Sequence, residues 1–307
     1  MRFLSQFGVV SVASGERKSM PEKPPIVLTI AGFDPSSGAG ITADIKTIAA
    51  HGCYGVACIT AMTVQSTSGV SRVQPVDSGL ILETLEELAS DCEIAAVHIG
   101  MLGSAKVVKA IADFLGGNSP KAGARLPNIV LDPILRSSSG TDLLDSAGII
   151  LMMERLLPMA DVITPNVDEA SALTGLKVKD LDEMKAAATK LHEMGSSALV
   201  ITGGHLDKAM DLLSYATERG VEQEIFKAER QRSNSTHGTG CAFATAMACH
   251  LAFDRGLAEA TLLAKTYVAA AISNGQLVGK GTGPVHHLYR MNQQRRAVGS
   301  GGSGEPD

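Results

Sequence analysis

The chain repeats one local pattern: a short apolar, β-branched run, then a loop of Gly, Ser, Thr, Asn or Asp, then an amphipathic helix. Residues 25–30, 55–61, 95–99, 128–132, 162–164 and 198–202 read as such strands. Helical periodicity follows in the segments carrying Ile41, Ile45 and Ile48, in 80–89, 105–115, 148–157, 167–173 and 181–194. Strands that are apolar throughout fit a sheet buried on both faces, and the alternation predicts a mostly parallel sheet between two helical layers. Residues 62–69 read as a polar loop. Residues 212–216 and 224–227, flanking Arg219-Gly220, read as an antiparallel hairpin at the sheet edge. Two helices, 240–253 and 257–274, close the pattern. Ser104 is the expected cap of the helix starting at Ala105.

Composition narrows the function classes. The 307 residues are 45% hydrophobic with 4% aromatics and no Trp, so aliphatic side chains must fill the core. A formal net charge of -5 argues against a nucleic-acid partner. The five cysteines, at 53, 58, 92, 241 and 249, form no CxxC pair or metal spacing, which fits reduced thiols and a cytoplasmic location. No apolar run reaches membrane-spanning length. Residues 1–24 are expected to be a disordered leader, with Met20 as a candidate true start and a weak signal peptide as the alternative. Residues 25–295 are expected to form a single domain, and 296–307 a flexible Gly/Ser tail.

In open α/β sheets, ligands bind at the carboxyl ends of the strands, and the chemically distinctive residues concentrate there. Asn234-Ser235-Thr236-His237-Gly238-Thr239-Gly240-Cys241 runs straight into an apolar helix. The free N–H groups and dipole of that helix make an anion site suited to phosphate. Cys241 at the helix mouth is expected to ionise more easily than a free thiol. Gly32 to Gly40 is a second glycine loop, but it matches neither G-x-x-x-x-G-K-[ST] nor G-x-G-x-x-G. Asp44, one turn into the following helix, is expected to project near that loop and hold a polar ring substituent. Gln65 suits a heterocycle with alternating donors and acceptors. Asp132 ends a strand. Asn166 and Glu169 occupy capping-box positions, and Asp132 with Glu169 also supplies the oxygen donors Mg²⁺ prefers. Thr202-Gly203-Gly204-His205 permits close backbone approach. Lys265, among Ala and Leu residues, either reaches solvent or meets a phosphate. The set suits phosphoryl transfer from Mg-ATP to a small molecule.

The chain resembles the hydroxymethylpyrimidine and phosphomethylpyrimidine kinases of thiamine biosynthesis, within the ribokinase-like superfamily. The matching stretches are 28–41, 43–47, Gln65, 99–102, 131–133, 164–166 with Glu169-Ala170, 203–205, 236–241 and 283–287. They occur in family order. The resemblance implies a three-layer α/β/α fold, Mg-ATP as donor and a homodimer. It implies that Gly32, Ala39, Asp44, Gln65 and Met101 serve the pyrimidine. Gly238, Thr239 and Gly240 would hold the transferring phosphoryl charge, and Cys241 would either act as a weak base in the first step or only shape the pocket. Asp132 and Glu169 would serve the metal, and Asn166, Thr202, Gly204 and Lys265 the nucleotide. Many sugar kinases of the superfamily place an Asp base where Cys241 stands, whereas the pyrimidine kinases resemble this chain in having Cys. Family members often carry Lys where Thr202 stands, which shifts the expected charge duty to Lys265 and predicts a weaker ATP KM. The implied activity is phosphorylation of 4-amino-5-hydroxymethyl-2-methylpyrimidine and then of its monophosphate. The alternatives are a pyridoxal or pyridoxine kinase and a non-catalytic pyrimidine sensor.

Overall fold

The computed structural model describes residues 23–117, 125–204, 209–227 and 233–291. The expected leader, apart from residues 23 and 24, the expected tail and His205 lie outside the described residues. A nine-stranded sheet in the order β3-β2-β1-β4-β5-β6-β7-β8-β9 forms the middle layer. Its strands are β1 (Ile26–Phe33), β2 (Tyr54–Ser66), β3 (Gly69–Pro75), β4 (Ile94–Ile99), β5 (Ile129–Leu131), β6 (Val162–Ile163), β7 (Ala198–Gly203), β8 (Met210–Thr217) and β9 (Gly220–Lys227). The strands from β2 to β7 pair in parallel, and antiparallel hairpins flank them on both edges. The expected three-layer architecture is therefore present.

Two apolar clusters clamp the sheet. On one face Leu28, Ile30, Cys58, Val97, Ile99, Ile129 and Leu131 meet α2 (Ser78–Asp91), α3 (Ala105–Leu115), α5 (Val167–Thr174) and α6 (Leu181–Glu193). On the other, Val27, Ala96, Val130, Val162 and Val200 meet α7 (Thr239–Ala252) and α8 (Leu257–Ser273), with α1 (Gly40–Ala50) beside α7. Helix α7 carries ten buried residues, many of them Ala. Small side chains let it approach the strands closely, so its N-terminus sits directly over their carboxyl ends.

Three local expectations need correction. The stretch 62–69 is not a loop: β2 continues to Ser66, turns through Thr67-Ser68 and pairs antiparallel with β3. An edge hairpin open to water carries polar residues between its valines, which masks it as a loop. The helical stretch 148–157 is α4 (Ser146–Leu151), then a π-helical turn, Met152–Leu156, then a 3-10 turn, Leu157–Met159. Pro158 has no N–H to continue an α-helical ladder. Ser104 does occupy the N-cap of α3, but its side chain makes no capping bond.

Candidate active site

The strand ends fall in register. Gly100 N–H donates to Ile30 O (2.9 Å), Asp132 N–H to Ile99 O (2.8 Å), Thr164 N–H to Leu131 O (3.0 Å) and Thr202 N–H to Pro165 O (2.9 Å). The loops after β1, β4, β5, β6 and β7 thus open on one edge of the sheet.

Gly238 is the N-cap of α7, with φ +82°, a left-handed conformation that glycine adopts without strain. A side chain there would overlap the Gly38 carbonyl oxygen, so the two glycine loops touch. The first bond into α7 runs from Ala242 N–H to Gly238 O (2.9 Å). The N–H groups of Gly240 and Cys241 precede it, in the turn where a helix leaves donors for a ligand. A methyl built on Gly240 would stand 3.7 Å from Asp132 Oδ2, so the helix mouth faces that carboxylate.

Asp132 is 3% exposed and its Oδ2 has no hydrogen-bond partner, while Oδ1 lies 3.5 Å from Thr164 Oγ1. Burial, then the charge of Glu169, raises its pKa well above the ordinary carboxyl range. Glu169 closes a full capping box: its Oε2 accepts from Asn166 N–H (2.9 Å), and Asn166 Oδ1 accepts from Asp168 and Glu169 N–H (both 2.9 Å). Burial pushes Glu169 up to about 7, the charge of Asp168 adds to this, and the Asn166 hydrogen bonds oppose it. A buried carboxylate with an orphaned oxygen, near a second carboxyl group whose pKa burial raises, fits a divalent cation. The described residues contain no cluster of three ligating side chains, so water and phosphate oxygens would complete its shell.

One expectation fails on electrostatics. The Cys241 thiol is pushed well above its usual pKa, by burial first and then by the charges of Asp132, Asp44 and Glu169; a hydrogen bond from the Gly40 backbone opposes them without prevailing. Burial, reinforced by the neighbouring carboxyl groups, keeps the thiol protonated near neutral pH. Asp44 is fully buried, accepting from Thr29 Oγ1 (2.7 Å) and Thr245 Oγ1 (3.0 Å), with His98 Nδ1 3.4 Å away, and its charge acts on Cys241 and Asp132. Burial works against a charged His98 ring, but Asp44, and Asp132 beyond it, raise its pKa nonetheless. Asp44 thus lies in a buried polar layer beneath α7.

The other predicted residues divide by place. Gly32 packs on Met101, where a side chain would strike the Met101 sulfur, and Ala39 N-caps α1. Gln65 lies near the end of β2, its amide within hydrogen-bond distance of Thr63 and His237. Thr202 and the exposed Gly204 close β7. Lys265 neither reaches solvent nor stands free for a phosphate: its Nζ bonds Asp211 Oδ2 at 2.6 Å, and Asp211 Oδ1 accepts from Gly203 N–H (3.1 Å). The side chains of both are largely buried. A cation buried on α8 needs an anionic partner, and β8 supplies one.

Asp34 and His237 were not singled out as site residues. Asp34 is 3% exposed and gathers the backbone N–H groups of Ser36 (2.7 Å), Gly38 (3.2 Å) and Ala39 (2.9 Å), the Ser36 hydroxyl (2.7 Å) and His237 Nε2 (3.0 Å). Burial raises its pKa, but bonds from His237, Ser36 and Ala39 outweigh it and hold Asp34 below the usual carboxyl value. An Asp followed two residues later by Ser in a glycine loop was a signal for local backbone capture. Its partner 203 residues away had none.

Comparison with known proteins agrees with this arrangement. A family model described as phosphomethylpyrimidine kinase matches residues 34–286. The chain is 38% identical over 263 residues to the hydroxymethylpyrimidine/phosphomethylpyrimidine kinase of Haemophilus influenzae, covering 85% of this chain and 96% of that one. It is 39% identical over 271 residues to the thiamine biosynthesis bifunctional protein ThiED of Geobacter sulfurreducens, covering 88% of this chain but 53% of that longer protein. Among solved structures, an ADP complex of Bacillus subtilis pyridoxal kinase superposes with a TM-score of 0.77 at 32% identity, covering 88% of this chain and all of that one.

Proposed function

This chain belongs to the phosphomethylpyrimidine kinase family, and on that premise we propose that it phosphorylates 4-amino-5-hydroxymethyl-2-methylpyrimidine and then its monophosphate, using ATP. The observation that carries the reading is the α7 mouth, where the first turn at Gly240 stands beside the orphaned Asp132 oxygen at the common edge of the strand loops. Phosphoryl transfer needs little covalent help from a protein. It needs in-line positioning and stabilisation of charge on the transferred group.

In this reading the acceptor oxygen forms a bond to the γ-phosphorus as the bond to the bridging oxygen breaks, leaving ADP, and the proton of the alcohol passes to an oxygen of the transferred phosphoryl group and on to solvent. The N–H groups of Gly240 and Cys241, with Gly238 and Thr239 shaping the turn, hold the transferred group. Gln65, Gly32, Ala39 and Met101 orient the pyrimidine. Asp132 and Glu169 would hold Mg²⁺, which neutralises phosphate charge when bound. Thr202, Gly204 and Asn166 lie along the nucleotide side, and the Lys265–Asp211 pair stiffens the end of β7 behind them. Cys241 acts as a neutral group that shapes the hole. A phosphate acceptor is already ionised near neutral pH, so the second step requires no base. The proposal extends to a cytoplasmic homodimer. No helix among the described residues is long and apolar enough to cross a membrane.

A pyridoxal kinase is the second reading, favoured by the similarity to the Bacillus subtilis enzyme. The test is incubation with Mg-ATP and, separately, the pyrimidine alcohol, its monophosphate and pyridoxal, with quantification of each product. Turnover of both pyrimidines is expected. ADP formation with pyridoxal alone would overturn the proposal.

A further inference from the structure

Three loops meet at His237. Its Nε2 lies 3.0 Å from Asp34 Oδ2 and 3.4 Å from one end of the Gln65 amide. Its ring covers Gly38, leaving no room for a side chain there. Its N–H donates to Gly283 O (3.0 Å) and its carbonyl accepts from Val285 N–H (3.2 Å). The other end of the Gln65 amide lies 3.2 Å from Thr63 Oγ1.

The protons available at these two neighbours decide which way the amide faces. Every other group on Asp34 is a donor, so this carboxylate acts as an acceptor and His237 must give it the Nε2 proton. That single proton is shared: Nε2 has no lone pair left to accept with, so toward Gln65 it presents the same N–H that bonds Asp34. The Thr63 hydroxyl has a single proton, and it points to the Phe33 carbonyl at 2.9 Å. Toward Gln65 it has lone pairs to offer. The amide end beside His237 is then the carbonyl oxygen, and the end beside Thr63 is the NH₂ group. Amide oxygen and nitrogen are told apart by their partners, and both partners give the same answer. The reverse orientation would set N–H against N–H at His237 and would draw the Thr63 proton away from the nearer Phe33 carbonyl.

The geometry points to Thr63 and His237, with Asp34 behind His237, as positioning residues that lock the Gln65 amide in one orientation and so select rings bearing a hydrogen-bond donor beside an acceptor. The inference rests on the reading of Gln65 as the ring contact. In a 4-aminopyrimidine the amino donor is attached next to a ring nitrogen acceptor, so an amide held with oxygen and NH₂ in fixed order can meet both. The ring nitrogen of pyridoxal has no donor on either neighbouring carbon. An amide free to turn loses its preference between the two patterns.

Three variants and one substrate pair test this. The probes are the pyrimidine alcohol and the same ring lacking its 4-amino group, compared by kcat/KM. The wild type is expected to prefer the amino compound. Thr63→Val should shrink that preference about tenfold, the worth of one hydrogen bond, chiefly through KM. Thr63→Ser should restore it. His237→Leu should shrink it similarly, while any damage to the neighbouring anion hole lowers turnover of both compounds alike. A preference unchanged in Thr63→Val and His237→Leu overturns the inference. Neutron diffraction of the unliganded, deuterated protein reads the orientation without any turnover. Deuterons on the Gln65 atom nearest Thr63 support it, and deuterons on the atom nearest His237 overturn it. A wild type that phosphorylates no pyrimidine refutes the functional reading, and the neutron map still decides the orientation.

Discussion

Replacing Glu169 with glutamine should leave the protein more stable above neutral pH and less active. The folded chain raises this carboxyl from 4.5 to about 7, with burial the largest cause. At roughly 1.4 kcal/mol per pKa unit, a fully shielded group would cost about 3 kcal/mol once ionised. Glu169 is partly open to solvent, so about 2 kcal/mol is the better figure after screening. Because the folded pKa lies above the unfolded one, the carboxyl's stabilising contribution is complete below about pH 4.5 and is lost as pH rises through about 7. Glutamine never ionises, and its side-chain oxygen can still accept from Asn166 N–H as a capping box requires. The difference between variant and wild type should be near zero at about pH 4, grow between about 5 and 7, and level off above about 8. For a chain of this size that plateau corresponds to roughly 4 °C in Tm. Thermal unfolding across this pH range, without nucleotide, measures it. The same variant should lose about tenfold or more in kcat/KM with Mg-ATP, since a second-carboxylate oxygen is gone from the cation's surroundings. No gain at pH 8, or a gain of equal size at every pH, would refute the reasoning, because neither is what an ionised, poorly solvated carboxylate produces.

Other variants probe other parts of the site. Gly238→Ala places a side chain against the Gly38 carbonyl at φ +82°; it should lose about 1–2 kcal/mol or more of stability from the left-handed backbone and about 10²–10³ in kcat from the misplaced anion hole. A kcat within threefold of wild type refutes that. Cys241→Ala should lower phosphorylation of the alcohol and of the monophosphate by similar factors, because a thiol with a raised pKa is no base; selective loss of the alcohol step refutes a shaping role. Lys265→Met should cost about 3–5 kcal/mol by stranding Asp211. A denaturant midpoint equal to that of wild type would mean the pair is dispensable.

The central sheet was legible because apolar β-branched runs and Gly-rich strand ends are local signals. Both helical layers were legible from periodicity. The β2–β3 hairpin was not, since its exposed Thr, Ser and Gln residues look like a loop until Val64, Val70 and Val73 are seen on paired strands. In the site, the glycine loops and the Asp132–Glu169 pair could be read from residue type and position. The protonation of Cys241 could not, because it depends first on burial and then on carboxyl groups at the end of β5 and on α1 and α5, which come together only in three dimensions. The partners of Asp44 and Lys265 could not be read for a related reason: Thr245 and Asp211 lie far away in sequence. The capping-box reading of Asn166 and Glu169, being local, matches the structure in detail.

The contact between the β2–β3 turn and the segment after α8 bears on how the chain is made. Gly281 N–H donates to Thr67 Oγ1 (3.2 Å), and side chains at Gly279 or Gly281 would collide with Thr67. The same segment supplies Gly283 and Val285 to His237. Vectorial synthesis completes every strand of the sheet by Lys227. At that moment Thr67, Gly38 and Asp34 still lack the residues that brace them. The nascent chain thus holds all nine strands before α7, α8 and the segment after them exist to cover the second face of the sheet and brace the pocket.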